Sequence, residues 1–358
     1  MSREHTNDAP VGDENAMRRR IRADLGPAPF KVRPWRYGWF VVHQAIIWSS
    51  IACIVVVGPP APVCAVLGLL VGTTLAAQAF LAHETLHGAL GGPKWLRTFV
   101  GWLGFGPEII PPGFWVRWHN VVHHGNTNNG DSDPDNFGTV RRYERNPGLA
   151  RFVKLAPGSG TWYSYLFLFY SFTFHAQLVL HMQAKHRRDF AGMNRRLHIW
   201  QSAACVVPWV AIAAVSGRAA VYTVLIPFFT VNAIGQSYIL TNHFLRPMAP
   251  TNNPIDNSMS VRSWKLVDPL LFRFSHHVEH HLFPKMPSPG APAVRQWIEE
   301  HEAARYVCPT HGDAVRMLYR TPRVYRDATT LSNPDGSDAI DIAGIEAALR
   351  HEADRLPV

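Results

Sequence analysis

Cysteine is scarce in this sequence of 358 residues, which contains four of them. They are Cys53, Cys64, Cys205 and Cys308, and their scattered positions give neither a CxxC metal pair nor a disulfide framework. Three of the four lie in apolar stretches. We therefore interpret the cysteines as core residues and exclude a small disulfide-stabilised domain.

Charged side chains are absent from four long stretches, which are Gly38–Ala82, Leu155–Ala184, Leu197–Gly217 and Ala219–Leu245. A helix needs about 20 apolar residues to cross about 30 Å of hydrocarbon, where every backbone polar group must be paired. Stretches of this length favour a membrane protein over a large soluble protein with buried helices. The sequence thus predicts an all-α, multi-pass membrane protein.

The first stretch is long enough for two crossings, Phe40–Val57 and Val63–Leu81, separated by prolines that end one helix and start the next. The last two stretches form a second pair with a tight turn at Ser216–Arg218. We therefore predict four transmembrane helices in two hairpins.

Basic residues concentrate before, between and after the hairpins, whereas the two short turns contain only Arg218. The positive-inside rule then places both termini and the polar segments in the cytoplasm, and no secretory signal is visible before the first span. The net charge of +9 reflects this distribution. We expect a lipid bilayer as partner, and no nucleic acid.

The remaining stretch, Trp162–Met182, is long enough to span a membrane but contains His175, Gln177 and His181. A single crossing here would put the histidines that precede it and those that follow it on opposite faces of the bilayer. We therefore predict an in-plane or re-entrant helix.

Nineteen histidines are present, and eight of them form three clusters beside the apolar stretches. The clusters are HETLH with His83 and His87, HNVVHH with His119, His123 and His124, and HVEHH with His277, His280 and His281. Residues three to five apart project from one broad helix face, so each cluster can direct its imidazoles at a neighbouring ion. Burying eight imidazoles beside a bilayer is costly unless they are paired or bind metal.

The number and kind of ligands indicate the metal. A structural zinc ion needs four ligands, usually with cysteine, and calcium or magnesium prefers oxygen. Two first-row ions with about four imidazoles each point to non-haem iron, although spacing alone does not distinguish iron from copper or manganese. His243, at the end of the last span, is a ninth candidate ligand.

Other polar residues near the clusters have weaker assignments. Five carboxylates are available to orient ligand imidazoles through the second ring nitrogen: Glu84, Glu279, Asp131, Asp133 and Asp135. For the three in the DSDPDN segment, a solvated turn is an equally good interpretation. We leave His43, His175, His181 and His276 unassigned, with structural roles preferred.

The three boxes HxxxH, HxxxHH and HxxHH, in this order around two hairpins, resemble those of the membrane fatty-acid desaturase family. The HHGNTN segment after the second box and HHLFP in the third strengthen the resemblance, which covers about residues 38–290. It implies a mushroom-like fold in which four crossings lie under a cytoplasmic helical cap, with a centre of two non-haem iron ions above an acyl tunnel. The implied metal ligands are His83, His87, His119, His123, His124, His277, His280 and His281, and His243 matches a further ligand of related enzymes.

The resemblance also suggests a division of the chain. Residues 1–37 form a cytoplasmic segment, residues 38–290 form the desaturase domain, and residues 291–358 form a cytoplasmic extension. We expect about the first 30 residues and Asn333–Ser337 to be disordered or loosely packed, and Asp338–Arg355 to be helical. No HPGG haem-binding motif is present, so electrons must come from a separate ferredoxin or cytochrome.

We interpret the chain as a desaturase that uses dioxygen to introduce a double bond into an acyl lipid or acyl thioester. The alternative is a hydroxylase or carotenoid ketolase with the same two-iron centre, since HETLHG and DPD resemble carotenoid oxygenases. A more remote alternative is a membrane zinc protease, because HETLH also matches HExxH, in which Glu84 would be the general base. A metal carrier or haem scaffold is disfavoured, because its ligands should lie near the middle of several spans.

Overall fold

The computed structural model describes residues 12–248 and 251–353. Helix accounts for 68% of the structure and strand for little, so the prediction of a helical fold is confirmed in its main feature. The α-helices are α1 Gly12–Leu25, α2 Gly38–Ala52, α3 Ala61–Leu86, α4 Lys94–Phe105, α5 Pro112–Trp115, α6 Val140–Arg145, α7 Ala150–Val153, α8 Ser171–Leu178, α9 Ala184–His186, α10 Arg195–Ala204, α11 Val206–Ser216, α12 Ile226–His243, α13 Pro254–Asn257, α14 Val267–Leu270, α15 His277–Leu282, α16 Ala291–His301, α17 His311–Arg320 and α18 Ile342–Ala353.

Short turns of other helix types extend or join these elements. The π-helical turns are Cys53–Val57, Val116–His123, Val179–Gln183 and Val221–Leu225. The 3₁₀ turns are Ala28–Phe30, Pro34–Tyr37, Gly106–Glu108, Pro147–Leu149, Trp162–Phe169, Arg188–Phe190, Gly217–Ala219 and Ser288–Gly290.

Four helical segments among the described residues are long and apolar enough to cross a membrane. They are Ala28–Val57, Ala61–Leu86, Arg195–Ala219 and Val221–His243, and they coincide with the four predicted spans. Large apolar side chains cover their outer faces, with Val56 82% exposed and Val215 76% exposed. Such surfaces suit lipid better than water.

The segment Trp162–Met182 is not among these four. It is divided into a 3₁₀ turn, the short helix α8 and a π turn, and it packs along α12. Its in-plane or re-entrant position stays a prediction.

The turn between the first two spans follows from its residues. The π turn Cys53–Val57 ends at Gly58, which adopts the left-handed conformation with φ of 61°, and the Gly58 amide donates to the Cys53 carbonyl. Pro60 then precedes the first turn of α3. Because proline lacks an amide hydrogen and has a fixed φ, it starts the next helix without losing a hydrogen bond.

Small residues let α3 lie unusually close to its neighbours. A methyl group added at Gly72 would lie 2.5 Å from Cβ of Thr230 on α12, and one at Gly104 on α4 would lie 2.3 Å from Cβ of Ala82. Glycine at helix crossings allows backbones to approach where lipid gives no hydrophobic driving force. These crossings bring the ends of α3 and α12, with their histidines, together.

A small antiparallel sheet departs from the all-α prediction. Its strands are β1 Val324–Tyr325, β2 Thr330–Ser332 and β3 Ile340–Asp341, in the order β1-β2-β3, with Tyr325 opposite Leu331 and Leu331 opposite Ile340. The buried Tyr325 hydroxyl donates to the Arg246 carbonyl at 2.5 Å, which ties the sheet to the chain just after α12. Isolated runs of two or three residues carry too little periodicity to be recognised as strands.

Two expectations about loose packing are wrong for described residues. Residues 12–30 contain α1, whose Met17 and Ile21 are buried in the same apolar cluster as Trp297 of α16. Asn333–Ser337 is a hydrogen-bonded turn in which the Asn333 amide donates to the Ser337 carbonyl. The first 11 residues lie outside the described part of the chain. The predicted C-terminal helix is present as α18 up to Ala353, beyond which no residue is described.

Candidate metal centre

The nine histidines proposed as ligands come from the ends of four helical elements. His83 lies in the last turn of α3 and His87 directly follows it, while His243 is the last residue of α12. The π turn Val116–His123 contains His119 and His123 of the second box, His124 directly follows it, and α15 contains the third box. A π turn bonds residue i to residue i+5, so the HxxxHH spacing places all three imidazoles of the box on one side.

The imidazoles gather into two neighbouring groups. In the first, ring nitrogens of His83, His87, His119 and His280 all lie within 4.8 Å of one another, and in the second those of His123, His243 and His281 do so. A further overlapping set consists of His119, His123 and Asp135. The predicted ligands from all three boxes are therefore close enough to share one site.

His124 and His277, the remaining two candidates, adjoin these groups. Nε2 of His124 lies 3.2 Å from Nε2 of His119, and its ring stacks on His281 at 4.2 Å. Nε2 of His277 lies 2.7 Å from Nε2 of His243. His124 thus adds a fifth imidazole at the edge of the first group, and His277 adds a fourth at the edge of the second.

The polar atoms of this centre fit metal ions. Nε2 of His87, His280 and His281 is buried and has no hydrogen-bond partner among the described residues. An orphaned buried nitrogen costs about 1–3 kcal/mol, whereas a metal bond would satisfy it. Burial also lowers the pKa of His280 to about 3, so its imidazole is neutral, which is the form that binds metal.

Two carboxylates contact Nδ1 of His123. Nδ1 of His123 lies 3.0 Å from Oδ1 of Asp133 and 3.2 Å from Oδ2 of Asp135, which leaves Nε2 for the centre. Burial alone lowers the pKa of His123, but the two carboxylates outweigh it and raise the pKa to about 9, so a metal ion that binds Nε2 must displace a proton from it. A carboxylate that accepts the Nδ1 hydrogen fixes the tautomer and orientation of a metal-binding imidazole.

The DSDPDN segment is therefore not a solvated turn throughout. Asp133 is buried, and its Oδ2 accepts from the Asn128 amide at 2.7 Å. Asp135 accepts from Trp118 Nε1 at 2.7 Å and also contacts His175 Nε2 at 3.0 Å. Asp131, in contrast, is exposed and contacts Thr139.

Replacing Asp133 by asparagine is expected to weaken metal binding by about 10- to 100-fold, because His123 loses the carboxylate that orients it. The measurement is iron retained by the purified chain across a series of chelator concentrations. Asp131→Asn is the matched control, since it removes a carboxylate from the same segment without touching an imidazole. Superimposable retention curves for Asp133→Asn and the parent chain would contradict the assignment.

The two predicted glutamates do not orient ligand histidines. Glu84 is buried in an ion pair with Arg36 and also accepts from the Ser288 amide at 3.1 Å. Glu279 accepts from Arg295 at 3.1 Å and from the Tyr306 hydroxyl at 2.5 Å. Both glutamates instead form buried ion pairs and hydrogen bonds within the protein. Their partners lie far away in the sequence, so residue spacing gave no indication of these contacts.

Sequence reasoning also missed groups that support the imidazoles. Trp115 stacks on His119 with 4.5 Å between ring centroids and 24° between planes. Thr127 Oγ1 lies 3.4 Å from Nδ1 of His281, and Ser258 Oγ lies 3.3 Å from Nδ1 of His243. Trp115 precedes His119 by one helical turn, which is a signal that the sequence offered.

A cavity of about 210 Å³ adjoins the histidines. His83, His119, His123, His243 and His277 line one part of it. Most of the remaining wall is aromatic or aliphatic, as at Phe80, Phe172, Leu240 and Phe274. Arg142 also lines the cavity and is partly exposed. A mostly apolar cavity with a few polar groups in its wall is the usual form of a site for an apolar substrate.

Comparison with known proteins agrees with this geometry. The model of the family described as fatty acid desaturase matches residues 59–317, which is more than half of the chain and includes all three histidine boxes. No curated protein matches the chain. With the family match added to the four apolar helices and the converging histidines, the chain belongs to the fatty acid desaturase family.

Proposed function

We propose that this protein is a membrane desaturase that uses dioxygen and two histidine-bound iron ions to introduce a double bond into an acyl chain. The observation that carries the proposal is the arrangement of two adjacent imidazole groups beside a mostly apolar cavity. Nitrogen ligands in this number suit two first-row ions. An apolar cavity suits a chain of methylene groups.

The first group and the second group would each hold one ion. His124 and His277 complete the two sets at their edges. Iron bound there would supply the oxidising power, drawn from dioxygen, that hydrogen removal from an unactivated methylene requires.

The side chains of this protein have three tasks around that chemistry. The cavity wall excludes water and fixes which carbon lies beside the histidines. The buried Asp133 and Asp135 hold the hydrogen at Nδ1 of His123. Thr127 and Ser258 contact the outer nitrogens of His281 and His243 and fix the orientation of these rings.

The proposed topology places the centre on the cytoplasmic side. Both hairpins would open toward the cytoplasm under a cap made of the polar segments, with both termini on that side. The exposed arginines of α1, Arg19, Arg20 and Arg22, then offer a basic surface to an acidic ferredoxin or cytochrome. Residues 38–290 as the desaturase domain also remain part of the proposal.

The zinc protease alternative is disfavoured by Glu84. In an HExxH protease this glutamate must act as a base on metal-bound water. Here its carboxylate is buried, forms an ion pair with Arg36 and accepts a hydrogen bond from the Ser288 amide, so it is engaged in structural contacts.

Cells that express the chain with a ferredoxin and its reductase are expected to contain an acyl product with two hydrogens fewer than the precursor. The measurement is mass spectrometry of total lipids and the acyl pool, with cells that carry an empty vector as the control. An oxygenated acyl chain or carotenoid without a new alkene would contradict desaturation. It would instead support the hydroxylase or ketolase alternative.

A further inference from the structure

The wall of the cavity contains several polar side chains besides the histidines, and three of them are buried without a side-chain hydrogen bond to any described residue. Glu108, Ser171 and Gln236 all line it, and they come from three separate elements. Glu108 is 1% exposed and Ser171 is 1% exposed. In a wall that is mostly apolar, each such buried group is costly unless it has a hydrogen-bond partner.

None of the three side chains has such a partner among the described residues. Oε2 of Glu108 and Oγ of Ser171 are buried and unpaired among the described residues. The Gln236 amide likewise makes no side-chain hydrogen bond within the described part of the chain. Its helix α12 packs against the turn that contains Glu108. Groups left unpaired on one cavity wall point to a ligand that pairs with them.

The backbone around Glu108 is held firmly while its carboxyl is left free. Trp209 Nε1 donates to the Pro107 carbonyl at 2.8 Å, and Gln177 Nε2 donates to the Ile109 carbonyl at 2.9 Å. Ile109 itself adopts φ of 63°, a left-handed conformation that is a true outlier for a β-branched residue. Strain of this kind persists only where surrounding contacts impose it.

The charge state of Glu108 indicates the kind of ligand. Burial raises the pKa of its carboxyl well above the usual range, and no neighbouring cation opposes this shift. A neutral carboxyl both donates and accepts a hydrogen bond, as do a hydroxyl and a carboxamide. The three groups together therefore match an uncharged polar group.

We infer that Glu108, Ser171 and Gln236 form a second recognition point that binds a hydroxyl or carbonyl group of the substrate. Helix α12 gives the distance of this recognition point from the histidines. Gln236 and His243 both line the cavity and lie seven residues apart, which is about 10 Å along the helix axis. The substrate class is then an apolar chain with an uncharged polar group about 10 Å from the carbon beside the histidines. This inference rests on the proposed function in one respect, which is that the reacting carbon lies beside the histidines.

Binding to the full chain in detergent micelles tests the inference. The probes are saturated fatty acids from lauric to stearic length, each compared with its ω-hydroxy derivative. The change in tryptophan fluorescence, to which Trp115 and Trp118 of the cavity wall contribute, reports occupancy. At the chain length that reaches Glu108, we expect the hydroxy acid to bind about three- to tenfold more tightly, which is the usual gain from one hydrogen bond. Equal affinities at every length, or no binding of any acid, would overturn the inference.

Variants locate the effect. Glu108→Leu should abolish the preference for the hydroxy acid, whereas Glu108→Gln, which still donates and accepts, should keep it. Ser171→Ala and Gln236→Leu should each reduce the preference, and they test the site even if Glu108→Leu does not fold. A preference that survives in all of these variants would overturn the inference. So would tighter binding of the ω-amino acid, which would show an ionised carboxylate that binds a cation.

The two proposals fail in different ways. A hydroxyl preference without any desaturated product would contradict the desaturase proposal and leave the recognition point intact. Product formation with no hydroxyl preference at any chain length would contradict the recognition point alone.

Discussion

His123→Ala is expected to lower bound iron from about two ions per chain to one or fewer and to abolish product formation. His123 belongs to the second imidazole group, and its ring centroid lies 4.8 Å from that of His243 and 5.3 Å from that of His281. It also lies 5.0 Å from His119 of the first group, so its loss affects both groups. Elemental analysis of the purified chain measures the iron, and mass spectrometry of acyl lipids measures the product.

A matched control separates loss of a ligand from loss of a histidine. His186 is exposed at the end of α9 and belongs to neither group, so His186→Ala should keep its iron and its product. Normal iron content and product in His123→Ala would show that this residue is not a ligand. Normal iron content without product would leave His123 as a positioning residue.

Arg36→Met is expected to lower the free energy of unfolding by about 3–5 kcal/mol, because it leaves the buried Glu84 carboxylate without its cation. Arg36 is 3% exposed and also donates to Ser288 Oγ at 2.9 Å, while the Ser288 amide donates to Glu84. The three residues thus join the first span, the end of α3 and the segment before α16. Glu84 adjoins His83, so the same loss should also loosen the first imidazole group.

The measurement is unfolding of the full chain in mixed micelles, followed by tryptophan fluorescence. The double variant Arg36→Met with Glu84→Leu should recover much of the loss, since apolar replacement of both buried charges removes the unpaired group. Arg262→Met is the matched control, because its pair with Glu299 is 48% and 37% exposed and such pairs contribute about 1 kcal/mol or less. A similar small loss for Arg36→Met would contradict a structural role of the pair.

The four spans could be predicted from the sequence because the bilayer imposes a local rule. A helix in hydrocarbon must be apolar over its whole length, so Phe40–Val57 and its three counterparts are recognisable without knowledge of their neighbours. The boxes were recognisable for a similar reason, since residues such as His119 and His123 share a helix face through spacing alone.

The tertiary structure decided which histidines lie together and what lies behind them. His83 and His280 share a group although they lie 197 positions apart, and Asp133 is buried beside His123 while Asp131 of the same segment faces solvent. The ion pair of Glu84 with Arg36 likewise joins residues 48 positions apart. The small sheet that contains Tyr325 and the position of Glu108 in the cavity wall also depend on tertiary packing. Local periodicity describes the faces of single elements, whereas these contacts depend on how the elements pack against one another.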